Sequence, residues 1–159
     1  MKLEVSNKQG VKRGFAAGFP VFVGYFPVAV AFGILSKTTG LSVGDSVAFS
    51  VLVFAGASQF MALNLIKAGA AFSGIIFATL LLNLRHLLMS ASLAAKIAAP
   101  DKRWLPAVAF GVTDETFAVS ATNYGPLGIP FLLALEGTAY LGWVGGTLMG
   151  YLAGSILPA

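Results

Sequence analysis

Apolar residues run along this chain in five long blocks, at about 14–36, 43–66, 68–95, 105–124 and 127–157. Each reaches the roughly 20 residues that an α-helix needs to cross a hydrocarbon layer of about 30 Å. Residues 1–13 form a polar, basic lead carrying Lys2, Lys8, Lys12 and Arg13. The pattern predicts an all-α polytopic membrane protein, with a single transmembrane domain over 14–159. It has about five hydrophobic segments, one or two of them broken or re-entrant.

Residues that interrupt the blocks mark where the helices change character. Run one contains Pro20, Gly24, Tyr25 and Pro27. Each proline removes a backbone donor and disfavours helix before it, so the stretch is expected to kink or break. It is either a plain proline kink or a discontinuous helix whose freed backbone groups meet a substrate. In run two, Asp45 suits a helix N-terminus. Phe54-Ala-Gly56-Ala-Ser58-Gln59-Phe60 offers small residues for close helix approach, and Gln59 must find a hydrogen bond. That bond goes either to another helix or to a substrate.

Run three is long for an upright span and is expected to tilt or to bend near Asn83. Thr79, Asn83, His86 and Ser90 follow helical spacing and make one polar stripe, with Arg85 off to one side. Charges at bilayer depth are costly and normally functional. Run four carries the other such charges, Asp114-Glu115, expected at mid-depth of one helix. Run five follows the turn-rich Asn123–Pro130, contains Glu136, and repeats glycine at Gly142, Gly146, Gly150 and Gly154. Glycine at every fourth position predicts a helix-packing face. Ser46-Val-Ala-Phe-Ser50 and Ala107-Val-Ala-Phe-Gly111 echo one another, but five residues do not establish an inverted repeat.

Composition agrees with the pattern. The chain is 57% hydrophobic and only 10% charged, against about 25% charged in soluble domains; its mean hydropathy is +0.86. The formal net charge of +4 resides at the ends of apolar runs rather than in a patch, which marks membrane anchors and argues against nucleic acid. With no cysteine and one histidine, disulfides and Cys- or His-rich metal sites are excluded, and no cofactor is expected. Run one exceeds a signal peptide's apolar core of about 7–15 residues and lacks an Ala-x-Ala exit, so it reads as a retained span. Orientation raises a conflict. If every run crosses once, the basic lead and the basic 96–103 loop fall on opposite sides, against the positive-inside rule. A re-entrant or half-helix run resolves this, and runs one and two are the candidates.

Gly18-Phe-Pro20, Gly24-Tyr25-Phe-Pro27, Phe54 to Phe60, Asn83-Leu-Arg85-His86-Leu-Leu-Met89-Ser90 and Thr113 to Phe117 together resemble the AzlC family of branched-chain amino acid permeases. The resemblance runs in order from about Gly14 to Gly154. It implies a multi-pass exporter of branched-chain amino acids in the bacterial inner (plasma) membrane. It also implies a small hydrophobic AzlD-like partner subunit. Family members are longer, and the chain reads as lacking their C-terminal part.

A zwitterionic substrate needs an anion site, a cation site and an apolar pocket. On the physical reading, Gly24, Tyr25, Ser58, Gln59, Asn83, Arg85 and His86 are the substrate-binding candidates, with Arg85 clamping the carboxylate. Asp114 and Glu115 are candidates for holding the ammonium or taking up a proton, and His86 for relaying protons. Phe54, Phe60, Phe117 and Met89 could line the pocket for a Val, Leu or Ile side chain. The alternatives are a structural or assembly subunit without its own substrate site, and a membrane-embedded enzyme. The second lacks any nucleophile motif, metal cluster or phosphate loop in the sequence.

Overall fold

The computed structural model describes residues 7–97, 101–123 and 127–154. Over them the chain forms α1 (Asn7–Thr38), α2 (Val43–Val53), α3 (Gly56–Lys67), α4 (Phe72–Ala94), α5 (Leu105–Gly111), α6 (Asp114–Ala121) and α7 (Ile129–Ala153), with a 3-10 turn at Lys102–Trp104. Among the described residues there is no β-strand; Ile97 and Leu127 form an isolated bridge. α1 and α4 are long and apolar enough to cross a membrane.

Runs one and four depart from expectation. Run one does not break: α1 is continuous through both prolines. Pro20 and Pro27 are exposed, while Gly14, Gly18, Val21, Ala29, Phe32, Gly33 and Ser36 are buried along the opposite side. Each proline deletes one intrahelical bond on the outer side, and the packed side holds the helix together. Run two does break, as expected of a candidate, at Phe54–Ala55. Run four, expected as one helix, also splits, at Val112–Thr113. Run three is a single helix through Asn83. The basic lead is helical from Asn7 onward; residues 1–6 lie outside the described residues.

The chain divides into two compact units. The first comprises residues 1–22 and 86–140. Its core is Leu93, Val108, Val112, Leu127, Phe131, Leu132 and Leu135. Here α1 lies on α7 through glycines: a Cβ on Gly18 would come 2.7 Å from Leu135 O and 2.8 Å from Thr138 Cβ. A Cβ on Gly14 would collide with Phe131 O. Residue numbers rise together on both helices, so they run parallel.

The second unit comprises residues 23–85 and 141–159. Phe32, Phe54, Ala62, Leu63 and Trp143 are buried in it. α1 and α7 again run parallel at close range. Gly146 sits where a Cβ would be 2.7 Å from Ala29 Cβ, and a Cβ on Gly150 or on Gly33 would strike the facing backbone at Val30 or Thr147. A Cβ on Gly154 would make ordinary contact with Lys37 at 3.4 Å, and Gly142 is buried. α2 starts with a capping box: Asp45 N–H donates to Ser42 Oγ at 3.1 Å, and Ser42 N–H to Asp45 Oδ2 at 3.3 Å. This satisfies two helix-start donors.

Candidate functional site

Two helix breaks dominate the chemistry, one in each unit. In the second unit, Phe49 of α2 and Phe60 of α3 both meet the ring of Phe32 edge-on, at 5.9 and 5.6 Å. Ser50 and Gln59, nine positions apart, are hydrogen-bonded at 3.1 Å; along a straight helix they would stand about 13 Å apart. α2 and α3 therefore fold back as a hairpin. The reversal occurs at Phe54, with φ 37° and ψ 48°, a left-handed conformation that costs a non-glycine residue about 1–2 kcal/mol.

A buried polar chain ties this hairpin to α7. Trp143 Nε1 donates to Gln59 Oε1 at 2.9 Å, Gln59 Nε2 donates to Ser50 Oγ at 3.1 Å, and Ser50 Oγ pairs with Thr147 Oγ1 at 2.8 Å. Ser58 Oγ donates to Ala55 O at 2.9 Å. Tyr25, half-buried, packs edge-on against Trp143 at 5.4 Å and Phe54 at 6.2 Å. Gly56 lies against the indole: a Cβ there would come 2.6 Å from Trp143 Cη2. No side chain caps the start of α3 at Ala55. Such a helix start presents backbone donors and a positive dipole end, to which carboxylates bind.

Tyr25, Ser58 and Gln59 are thus gathered around one break. The amide of Gln59 serves as a bridge between helices at both its ends. Gly24 is exposed, and a Cβ on it would meet nothing within 4 Å. Asn83 and Arg85 are half-buried on α4 within the same unit. Leu80, Leu81, Leu84, Leu87 and Leu88 of α4 are exposed. The polar stripe Thr79, Asn83, His86 and Ser90 is thereby kept to the less exposed side of that helix.

His86, Asp114 and Glu115 belong to the first unit. Its break lies between α5 and α6. Thr113 caps α6: Thr116 N–H donates to Thr113 Oγ1 at 3.3 Å, and Thr113 N–H donates to Thr116 Oγ1 at 2.8 Å. Thr116 Oγ1 donates in turn to Gly111 O at 3.0 Å, joining the end of α5 to the start of α6. Asp114 and Glu115 are therefore exposed residues in the first turn of a short helix, not buried at the middle of a long one. The capping box halts the preceding helix, and the positive helix start favours acidic residues there. The segment also closes on itself. Lys96 Nζ donates to Ala121 O at 2.6 Å, and Leu127 N–H donates to Lys96 O at 2.9 Å.

Sequence reasoning passed over Glu136 as a site. It is 3% exposed, and its side chain lies across the backbone of Gly111 at the α5 end. The available signal was a lone acid within an otherwise apolar run. Among the described residues, no group of three or more His, Cys, Asp or Glu side chains could hold a metal ion.

A family model described as AzlC protein matches residues 20–157. The chain is 42% identical, over 96% of its length, to an uncharacterized membrane protein of Archaeoglobus fulgidus, of which it covers 67%. It is 31% identical over 89% of its length to inner membrane protein YgaZ of Escherichia coli, covering 60% of that protein. It is 29% identical over 91% of its length to the branched-chain amino acid transport protein AzlC of Bacillus subtilis, covering 58%. The chain thus spans about three fifths of the latter two relatives. No solved structure matches it significantly.

Proposed function

Because this chain belongs to the AzlC protein family, we propose that it is the carrier, or a major part of it, of a secondary transporter exporting branched-chain amino acids. It works in the inner (plasma) membrane with a small hydrophobic AzlD-like subunit, and export is coupled to protons. The name of the Bacillus subtilis relative supports the substrate class. The observation that carries the reading is the α2–α3 hairpin. Its reversal leaves the start of α3, at the buried Ala55 and half-buried Gly56, uncapped by any side chain and beside Tyr25, Phe54 and Trp143. A substrate carboxylate suits the backbone donors, and a branched aliphatic side chain suits the aromatic faces. Arg85, half-buried on α4, is the second anion-binding group in this proposal, and Asn83 a neutral one.

The same reading gives a topology. α2 and α3 have 11 and 12 residues, about 16–18 Å each, and α5 and α6 are shorter still; none spans about 30 Å alone. We take both pairs as re-entrant hairpins and α1, α4 and α7 as the crossings. The parallel run of α1 and α7 narrows the choice, since with α4 crossing, either both pairs cross or neither does. With neither crossing, the basic lead and the 96–103 loop share one side, as the positive-inside rule asks.

The test is transport. Proteoliposomes holding this protein and its small partner are loaded with labelled valine, and a pH gradient is imposed. Valine efflux that rises with the gradient is expected; efflux indifferent to it removes proton coupling, and no efflux removes the exporter.

A further inference from the structure

We propose that Glu136 is the group that carries the coupled proton, an inference resting on the transport reading above. The residue lies in α7, 3% exposed, and neither carboxyl oxygen has a hydrogen-bond partner among the described residues. It is seated at a helix break. A Cβ on Gly111, the last residue of α5, would come 2.6 Å from both the Cβ and the Oε2 of Glu136. Glycine at that position is what makes room for the acid. Beyond Gly111 the chain leaves helical geometry at Val112 and resumes it at Asp114.

Among the described residues, no side chain hydrogen-bonds either carboxyl oxygen of Glu136. The apolar cluster of this unit includes Val108 and Val112 from the stretch carrying Gly111, and Leu132 and Leu135 from the turn of α7 before Glu136. α5 has no titratable residue. α1 brings Lys8, Lys12 and Arg13; the Arg13 guanidinium is engaged with Asn123 Oδ1 at 3.4 Å and with the Phe131 ring. α4 brings His86, α6 brings Asp114 and Glu115, and α7 itself brings Tyr140. None of them hydrogen-bonds Glu136. Carbonyl groups at a helix C-terminus such as that of α5 accept from an O–H and repel a carboxylate.

A carboxyl group so held can keep a proton while the break is shut, and can release it only when water reaches it. The break at Val112–Thr113, next to Gly111, is where the helix beside this carboxyl is already interrupted. In the cycle, an O–H bond forms on Glu136 with a proton from water on one side of the membrane. It breaks again with the proton passing to water on the other side. No oxidant or reductant is involved.

The experiment compares wild type, Glu136→Gln and Glu136→Asp, each reconstituted with the small partner. Valine counterflow at equal pH measures carrier function without net proton movement; valine efflux under a pH gradient measures coupling. Infrared difference spectra on acidification read the carboxylic-acid band directly, independent of any substrate. Glu136→Gln is expected to keep counterflow, lose the stimulation by the gradient, and lose one carboxylic-acid band; Glu136→Asp is expected to retain some stimulation. Stimulation that survives in Glu136→Gln overturns the inference. So does loss of counterflow in both variants when circular dichroism shows them folded. If the wild type moves no amino acid, the transport reading fails by itself. The infrared band then decides: its disappearance in Glu136→Gln supports proton binding by this residue, and an unchanged spectrum overturns it.

Discussion

Trp143 donates its indole N–H to Gln59 Oε1 at 2.9 Å, both residues being buried and on different helices. The same amide donates to Ser50 across the α2–α3 reversal. Replacing Gln59 by Leu leaves the indole and the Ser50–Thr147 pair short of a partner. A loss of about 1–2 kcal/mol is expected, since bonds between helices in a membrane are individually modest and an orphaned buried donor costs more. Thermal unfolding in detergent measures it. A double-mutant cycle with Trp143→Phe should return a coupling of about 0.5–1.5 kcal/mol; additivity would show that the bond does not hold the hairpin.

Gly150 approaches the α1 backbone so closely that any Cβ meets Val30, while a Cβ on Gly145, five residues earlier on α7, would meet nothing within 4 Å. Gly150→Ala is expected to cost about 1–3 kcal/mol through forced separation of the helices. Gly145→Ala is expected to be neutral. The folded fraction after detergent extraction, read by size-exclusion profile, distinguishes them. Equal behaviour would remove the glycine seam from the account of stability.

The chain has no cysteine, so single cysteines report sidedness without a background. With three crossings and two re-entrant hairpins, Lys8→Cys and Arg103→Cys label from one side of the membrane. Thr38→Cys and Ala68→Cys label from the other. Five crossings would instead put positions 8 and 103 on opposite sides. An impermeant maleimide applied to whole cells and to inverted vesicles separates the two arrangements.

Arg85→Ala should abolish valine efflux without loss of membrane insertion, because a carboxylate clamp contributes to binding rather than to folding. The two readouts are labelled-valine release and protein yield in the membrane fraction. Undiminished release removes Arg85 from the substrate site.

Asp101 is exposed in the loop before α5, and its pairing with the Arg103 side chain at 2.8 Å holds its carboxyl below the ordinary value. A lowered folded-state value means that any stabilisation is present above the unfolded-state value and fades as pH falls through the folded one. Exposure and salt make it small. Arg103→Gln is therefore expected to raise the Asp101 titration toward normal, read by carbon-13 NMR, with thermal stability unchanged between about pH 5 and 7.

The helical class and the apolar run lengths were legible because apolar continuity is a long-range signal that no local detail can hide. Where helices break was less so. Prolines 20 and 27 drew attention to run one, yet their rings face outward and the packed side of α1 runs through them unbroken. The actual breaks are marked otherwise. Thr113 with Thr116 forms a capping box, a hydroxyl three residues ahead of its partner, and that pattern stands in the sequence. Phe54 in a left-handed conformation has no sequence mark, since tertiary packing imposes it. Asp114 and Glu115 stand at a helix start rather than a helix middle, and hydrophobicity alone cannot tell the two apart. Gln59 was recognised as needing a partner, but Trp143, 84 positions away, could not be named before the fold was known.

The glycine contact between Val30 and Gly150 also bears on how the protein is made. These positions are 150 − 30 = 120 residues apart in the chain. A ribosome feeding the membrane delivers the first of these helices long before the second, and contacts this distant in sequence form late. During that interval Gly14, Gly18 and Gly33 of α1 lack the helix against which they pack.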